Sequence, residues 1–207
     1  MNPRIQRMSI LFSLAMVGCH TGQDETPDAP TSAAQDPDAG QQAAEGEVDE
    51  LEAISALLRA RHADDLPDAE TLQTYPGAEA VLRQLGREGE TMVMRTRALA
   101  LLRFYSSEDS GALLAEIASD GDAHPALRAA AVTGLAGQPL ADQPARMELV
   151  TASLRDPDPR VGTAAVEVLD GFAAGKLVLQ EALQDESSEL SPAVREAITE
   201  RAQGSTQ

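Results

Sequence analysis

The sequence predicts an all-α fold, an alpha-alpha superhelix of stacked helix pairs, and three observations lead there. The apolar fraction of the 207-residue chain is 43% but aromatics make up only 2%, so Ala and Leu, both strong helix formers, must supply the core. Four segments superimpose on one another, 91–102, 124–135, 158–169 and 191–202, and their apolar anchors Met94, Leu127, Val161 and Val194 stand 33, 34 and 33 residues apart. A near-constant period of this size marks a solenoid of repeated supersecondary units. Between the repeats lie further stripes at helical spacing, so each period holds two helices.

The first 18 residues read as an export signal. Arg4 and Arg7 precede an uncharged apolar run of ten residues, Met8 to Val17, against the roughly 20 that a helix needs to cross a bilayer. The only cysteine of the chain closes this run, in Ala15-Met16-Val17-Gly18-Cys19. The segment resembles the lipobox of bacterial lipoproteins, with Gly18 as the small residue before the cut and Met16 where that family usually has Leu. The resemblance implies that the Cys19 thiol carries a diacylglycerol and becomes the mature N-terminus, so that the protein meets the membrane through a lipid anchor. His20 is not the aspartate associated with inner-membrane retention, which favours the outer membrane, facing the periplasm. Each buried methylene of such an anchor contributes about 0.8 kcal/mol, and two or more chains together hold stably. No second cysteine exists for an intramolecular disulfide.

Residues 19–48 are expected to form a disordered acidic tether. Seven acids, no base and three prolines lie between His20 and Val48, with no apolar period of 3.6 or 2.0 residues. Such a segment cannot bury enough apolar area to offset its ordering entropy, and its self-repulsion keeps it extended. Asp36-Pro37-Asp38-Ala39-Gly40 lacks the distal glutamate and remaining ligands of a calcium loop, so it is assigned to solvated linker.

Residues 49–90 are expected to cap the stack. Leu51, Ile54, Leu57 and Leu58 share one face of a helix from about Asp49 to Arg61. Leu66-Pro67 and Pro76-Gly77 then interrupt the chain, and a second helix from Ala78 to about Arg87 turns Val81, Leu82 and Leu85 inward before Gly86 and Gly89 end it.

In the repeats, 91–207, each column has a physical reason. Thr91, His124, Asp158 and Ser191 precede the repeated helix; Thr, Asp and Ser are good caps for its unpaired N–H groups. Pro125, Pro159 and Pro192 follow at the first helical position, where a missing N–H costs nothing. The anchor, a small or apolar residue four later (Ala98, Ala131, Ala165, Ile198) and one eight later (Leu102, Leu135, Leu169, Ala202) form one inward stripe. The intervening helices carry Leu113, Leu114 and Ile117; Met147, Val150 and Leu154; and Leu177, Val178, Leu179 and Leu183.

Asp158-Pro159-Arg160-Val161 and Pro192-Ala193-Val194-Arg195 resemble the start of the second helix in the short bacterial form of the HEAT-repeat family. The resemblance spans about residues 77 to 203. It implies that Arg95, Arg128 and Arg195 pair with turn aspartates, with Asp120, Asp122, Asp156 and Asp185 as candidates, and that Gly162 breaks this ladder.

Charge and composition narrow the function. With 16 basic and 34 acidic residues the net charge is −18, Lys176 is the one lysine, and no basic cluster suits nucleic acid. Too few aromatics exist for a stacking platform. The histidines, His20, His62 and His124, lack metal-ligand spacing. No nucleophile motif is present and no base stands beside Ser106, Ser107 or Ser110 in the sequence. Gly86-Arg87-Glu88-Gly89-Glu90 lacks the lysine and strand of a phosphate loop.

The expectation is therefore a non-enzymatic, cofactor-free scaffold or adaptor of the bacterial envelope, binding a protein or peptide partner through the outward positions of the second helices. Thr96, Arg97, Thr133, Thr163, Glu167, Glu196 and Glu200 are the candidates. The alternatives are a purely structural envelope lipoprotein and, from the likeness of short HEAT forms to phycobilin lyases, a bilin-attaching enzyme.

Overall fold

A computed structural model describes residues 49–59, 62, 65–185 and 189–204. The signal segment, Cys19 and the acidic tether lie outside the described residues. Among those described, every regular element is helical. They are α1 (49–58), α2 (Ala69–Gln73), α3 (Ala78–Glu88), α4 (Met92–Leu101), α5 (Glu108–Ser119), α6 (Pro125–Gly134), α7 (Pro144–Ser153), α8 (Pro159–Asp170), α9 (Ala173–Gln184) and α10 (Pro192–Gly204). Short 3-10 turns, Leu102–Phe104 and Leu135–Gly137, extend α4 and α6.

The helix starts follow from local chemistry. Thr91 Oγ1 accepts from the Met94 amide at 3.1 Å, Asp158 Oδ1 from Arg160 at 3.0 Å and Ser191 Oγ from Val194 at 3.3 Å. His124, the weakest cap by residue type, serves as well: its Nδ1 accepts from the Ala126 amide at 3.2 Å. Each satisfies a backbone donor that the first helical turn leaves unpaired. One helix end and one short helix differ from expectation. Gly86 lies inside α3, where an added Cβ would sit 2.7 Å from Leu99 Cδ2, so it allows close approach to α4 and the helix ends instead at Gly89. The short helix α2 gave no apolar period in the sequence; Asp68 starts it by accepting from the Thr71 amide at 2.8 Å.

Packing follows the predicted stripes. Met94, Leu127, Val161 and Val194 are buried, as are Ala98, Ala131, Ala165 and Ile198, and then Leu102, Leu135 and Leu169. Ala202, the last of the third column, is exposed, since no described helix follows to cover it. Among helices, α3 packs on α4, α5 on α6 and α7 on α8, while α4, α6, α8 and α10 contact one another in series. The alanines of α4, α6 and α8 let these helices approach closely, and each enclosed leucine contributes about 1.5–3 kcal/mol. In α9 the expected stripe is corrected: Leu179 is buried but Leu177 is 61% exposed, because three consecutive residues cannot share one helix face.

Of the expected arginine ladder, one rung forms within the described residues. Arg128 clasps Asp156 with two bonds of 3.1 and 2.9 Å and donates to the Ala123 carbonyl at 2.6 Å. Arg95 instead donates to the Gly86 carbonyl at 3.2 Å, and Asp185 lies 3.9 Å from Arg155. Gly162 stands at the third position, where an added Cβ would meet Val194 Cγ2 at 2.4 Å. A second buried arginine, Arg146, was invisible to the repeat pattern. It meets Glu108 at 2.7 Å and Gln138 at 3.2 Å, with its guanidinium against the space that a Cβ at Gly111 would fill.

Candidate functional site

The serial packing of α4, α6, α8 and α10 leaves their outer faces side by side, and the residues on these faces were the sequence candidates. The structure brings three of them together. Thr133, Thr163 and Glu167 line an open depression of about 500 Å³ between α6 and α8, floored by Ala129, Ala130 and Ala164. Small side chains make the floor shallow, and the threonine hydroxyls are turned onto their own helices: Thr133 Oγ1 donates to the Ala129 carbonyl at 3.1 Å and Thr163 Oγ1 to Pro159 at 2.8 Å. That face is apolar in character despite its polar residue names.

The other candidates are placed differently. Arg97 reaches back to α1, donating to the Leu58 carbonyl at 2.7 Å, and so fastens the N-terminal helix. Glu50 on the same helix accepts from the Gly77 amide at 2.7 Å. Thr96 is half-buried on α4, donating to Val93 at 3.0 Å, and Glu196 and Glu200 are exposed on α10 outside the depression.

Two features of this face were not found in the sequence. Arg160 borders the depression but forms a fork on Asp158, with bonds of 2.9 and 2.8 Å. That fork, together with the Arg160 amide, holds the Asp158 carboxyl down at about 2, and the same carboxylate raises the guanidinium's value in turn. The second feature is another depression of about 310 Å³ where α6 and α8 end, walled by Gln138, Pro139, Leu140, Val168 and Phe172, with Glu167 bordering both. The Gln138-Pro139-Leu140 turn has no repeat period, so self-comparison passes over it. Phe172, one of three phenylalanines in the chain, was the available signal.

The carboxylate that the sequence does not place beside these serines comes from another helix. Glu79, distant in sequence, accepts from the Ser110 hydroxyl at 2.6 Å and from the Ser107 hydroxyl. Ser107 also caps α5, accepting from the Ser110 amide at 3.2 Å, and Ser110 is fully buried. Both hydroxyls tie α3 to α5. The neighbouring Tyr105 hydroxyl is buried without a hydrogen-bond partner; its burial and, next, the Glu79 charge push its acidity down and its pKa above the usual tyrosine range. Among the described residues no group of three or more His, Cys, Asp or Glu is placed to hold a metal ion, and no helix is long and apolar enough to cross a membrane.

No protein-family model matches the chain. No curated protein matches it.

Proposed function

We propose that the protein is a lipid-anchored, non-enzymatic interaction scaffold of the bacterial envelope, built as a HEAT-like solenoid. The observation that carries this reading is the open alanine and threonine face between α6 and α8. Its helices contact one another in series and bury the first two columns of the stripe in all four, and serial contact is how repeat units hide faces that none can bury alone. A shallow apolar face rimmed by charge suits a protein segment better than a small molecule, which needs an enclosed site.

The anchor rests on the sequence: charged start, short apolar run and Cys19 after Gly18. Removing residues 1–18 leaves a net charge of −20, of which −7 lies in 20–48 and −13 in 49–207. The acidic stretch then spaces the helical part from the membrane, at a reach of about 5–6 Å times the square root of residue number.

The experiment is photo-cross-linking in intact cells from Thr163, on the face, and from Glu148, on α7 away from it. One dominant partner captured from Thr163 alone is the expected result; equal background from both positions refutes the scaffold. Fractionation of Cys19→Ser tests the anchor, which is abandoned if the variant stays in the membrane as mature protein.

A further inference from the structure

The depression at the ends of α6 and α8 differs in charge and shape from the rest of the outer face. Ala136 lies in the 3-10 extension of α6, Val168 and Gly171 mark the end of α8, and Phe172 is the N-cap of α9, so the ends of three helices meet at one hollow. The carbonyls of Leu135, Val168 and Leu169 are bonded to the amides of Gln138, Gly171 and Phe172, so the fixed charge of the hollow comes from a side chain. Glu167 is the one charged residue in its wall. Gln138 is already committed at both ends, donating to the Tyr105 carbonyl at 2.9 Å and accepting from Arg146 at 3.2 Å. Pro139, Leu140, Val168 and Phe172 supply the remaining, apolar lining.

Glu167 can be re-paired at little cost. Its present partner, Arg201, stands 3.8 Å away with both side chains about half exposed, a contact of small worth. Arg201 also has Asp170 at 3.3 Å, so it keeps an acid when Glu167 turns to another cation.

We propose that this hollow receives a lysine or arginine side chain from an extended segment of a partner protein, whose small neighbouring residues lie along the Ala129, Thr133, Thr163 and Ala164 floor; this rests on the scaffold reading above. The methylene stem packs on Leu140 and Val168 while the charged head meets Glu167, the usual division of a long basic side chain. Phe172 adds an aromatic surface that cations favour. The charge of −13 on 49–207 draws in basic segments and repels acidic ones. The chain's own 20–48 stretch, with seven acids and no base, has the wrong charge to fill the site.

The test titrates the isotope-labelled full chain with short capped peptides of Ala and Ser that differ only in a central Arg, Gln or Glu. The arginine peptide is expected to shift the amide signals of Ala136, Glu167, Gly171 and Phe172 and to bind about fivefold tighter than the glutamine peptide, with the glutamate peptide weakest. Glu167→Gln, an exposed change, should erase the advantage of arginine while leaving the spectrum otherwise folded. Equal binding of the arginine and glutamate peptides, shifts confined to the turns around Asp120 and Asp156, no binding, or an unaltered preference in Glu167→Gln overturns the proposal. Cross-linking from Thr163 separates the two levels. A partner joined through a segment without Lys or Arg defeats this inference and leaves the scaffold standing, whereas no partner defeats both.

Discussion

Arg128 and Asp156 form a two-pronged ion pair across two successive helix pairs, with bonds of 3.1 and 2.9 Å and side chains only 7% and 14% exposed. The same aspartate accepts from the Asp158 amide at 2.8 Å, so the clasp joins α6 to the turn that starts α8. Removing one partner leaves a charge in a site that water barely reaches. Arg128→Ala should therefore lower the unfolding free energy by about 3 kcal/mol in urea denaturation. Arg128→Lys should recover only part of it, since an ammonium cannot make the fork. Arg155→Ala is the control: its contact with Asp185 is 3.9 Å and about half exposed, and its loss should cost under about 1 kcal/mol. Equal effects of Arg128→Ala and Arg155→Ala would show that the clasp is not structural.

Gly137 and Gly121 should respond differently to the same change. A Cβ at Gly137 would fall 1.9 Å from the Arg103 carbonyl oxygen, where the 3-10 extensions of α4 and α6 meet backbone to backbone. Backbone cannot swing aside as a side-chain tip can, so Gly137→Ala should cost about 3 kcal/mol, the upper end for overpacking. A Cβ at Gly121 would have nothing within 4 Å. Gly121→Ala should then be neutral or stabilise by up to about 1 kcal/mol through the unfolded chain. Thermal midpoints of the two variants decide the matter, and a fall at both positions would reject this account of Gly121.

The helices were legible because their causes are local and repeated. Pro125, Pro159 and Pro192 after a capping residue, then Ala131 or Ala165 in the middle of a stripe, are visible in one dimension, and those residues took the expected places. Arg146, Glu79 and the hollow under Phe172 were not legible, because each joins residues outside the repeat columns. Glu79 meets Ser107 and Ser110 across about one period, but nothing in its own helix marks it for them. Arg97 shows the reverse error: it has an outward helical position, but a long side chain lets it reach the Leu58 carbonyl instead of solvent. Thr133, Thr163 and Glu167 were found because facing outward is itself periodic; how deep the surface between them lies depends on neighbouring helices.

Asp158 should make stability depend on acid in a narrow window. Its carboxyl is held at about 2, below the ordinary 3.8, chiefly by the Arg160 side chain. A depressed value means that the folded state favours the charged form. The contribution is complete above about pH 4 and is lost as pH falls through about 2. Wild type should therefore melt above Asp158→Ala near neutral pH by a constant margin, and the margin should close between about pH 4 and pH 2. A margin that stays constant down to pH 2 would show that the cap works equally well when protonated.

Leu177 and Leu179 test which face of α9 carries the stack. The sequence offers Leu177-Val178-Leu179 without choosing among them, since each residue turns by about 100° from the last. Contact with α8 makes the choice: Leu179 is 4% exposed and Leu177 is 61% exposed. Leu179→Ala should cost about 2–3 kcal/mol, because its removal leaves a cavity that α8 and α9 only partly close. Leu177→Ala should change stability by less than about 0.5 kcal/mol. Equal losses would mean that Leu177 is covered in solution, by a segment or by another molecule. Sedimentation across a concentration series would then separate the two, since only an intermolecular cover dissociates on dilution.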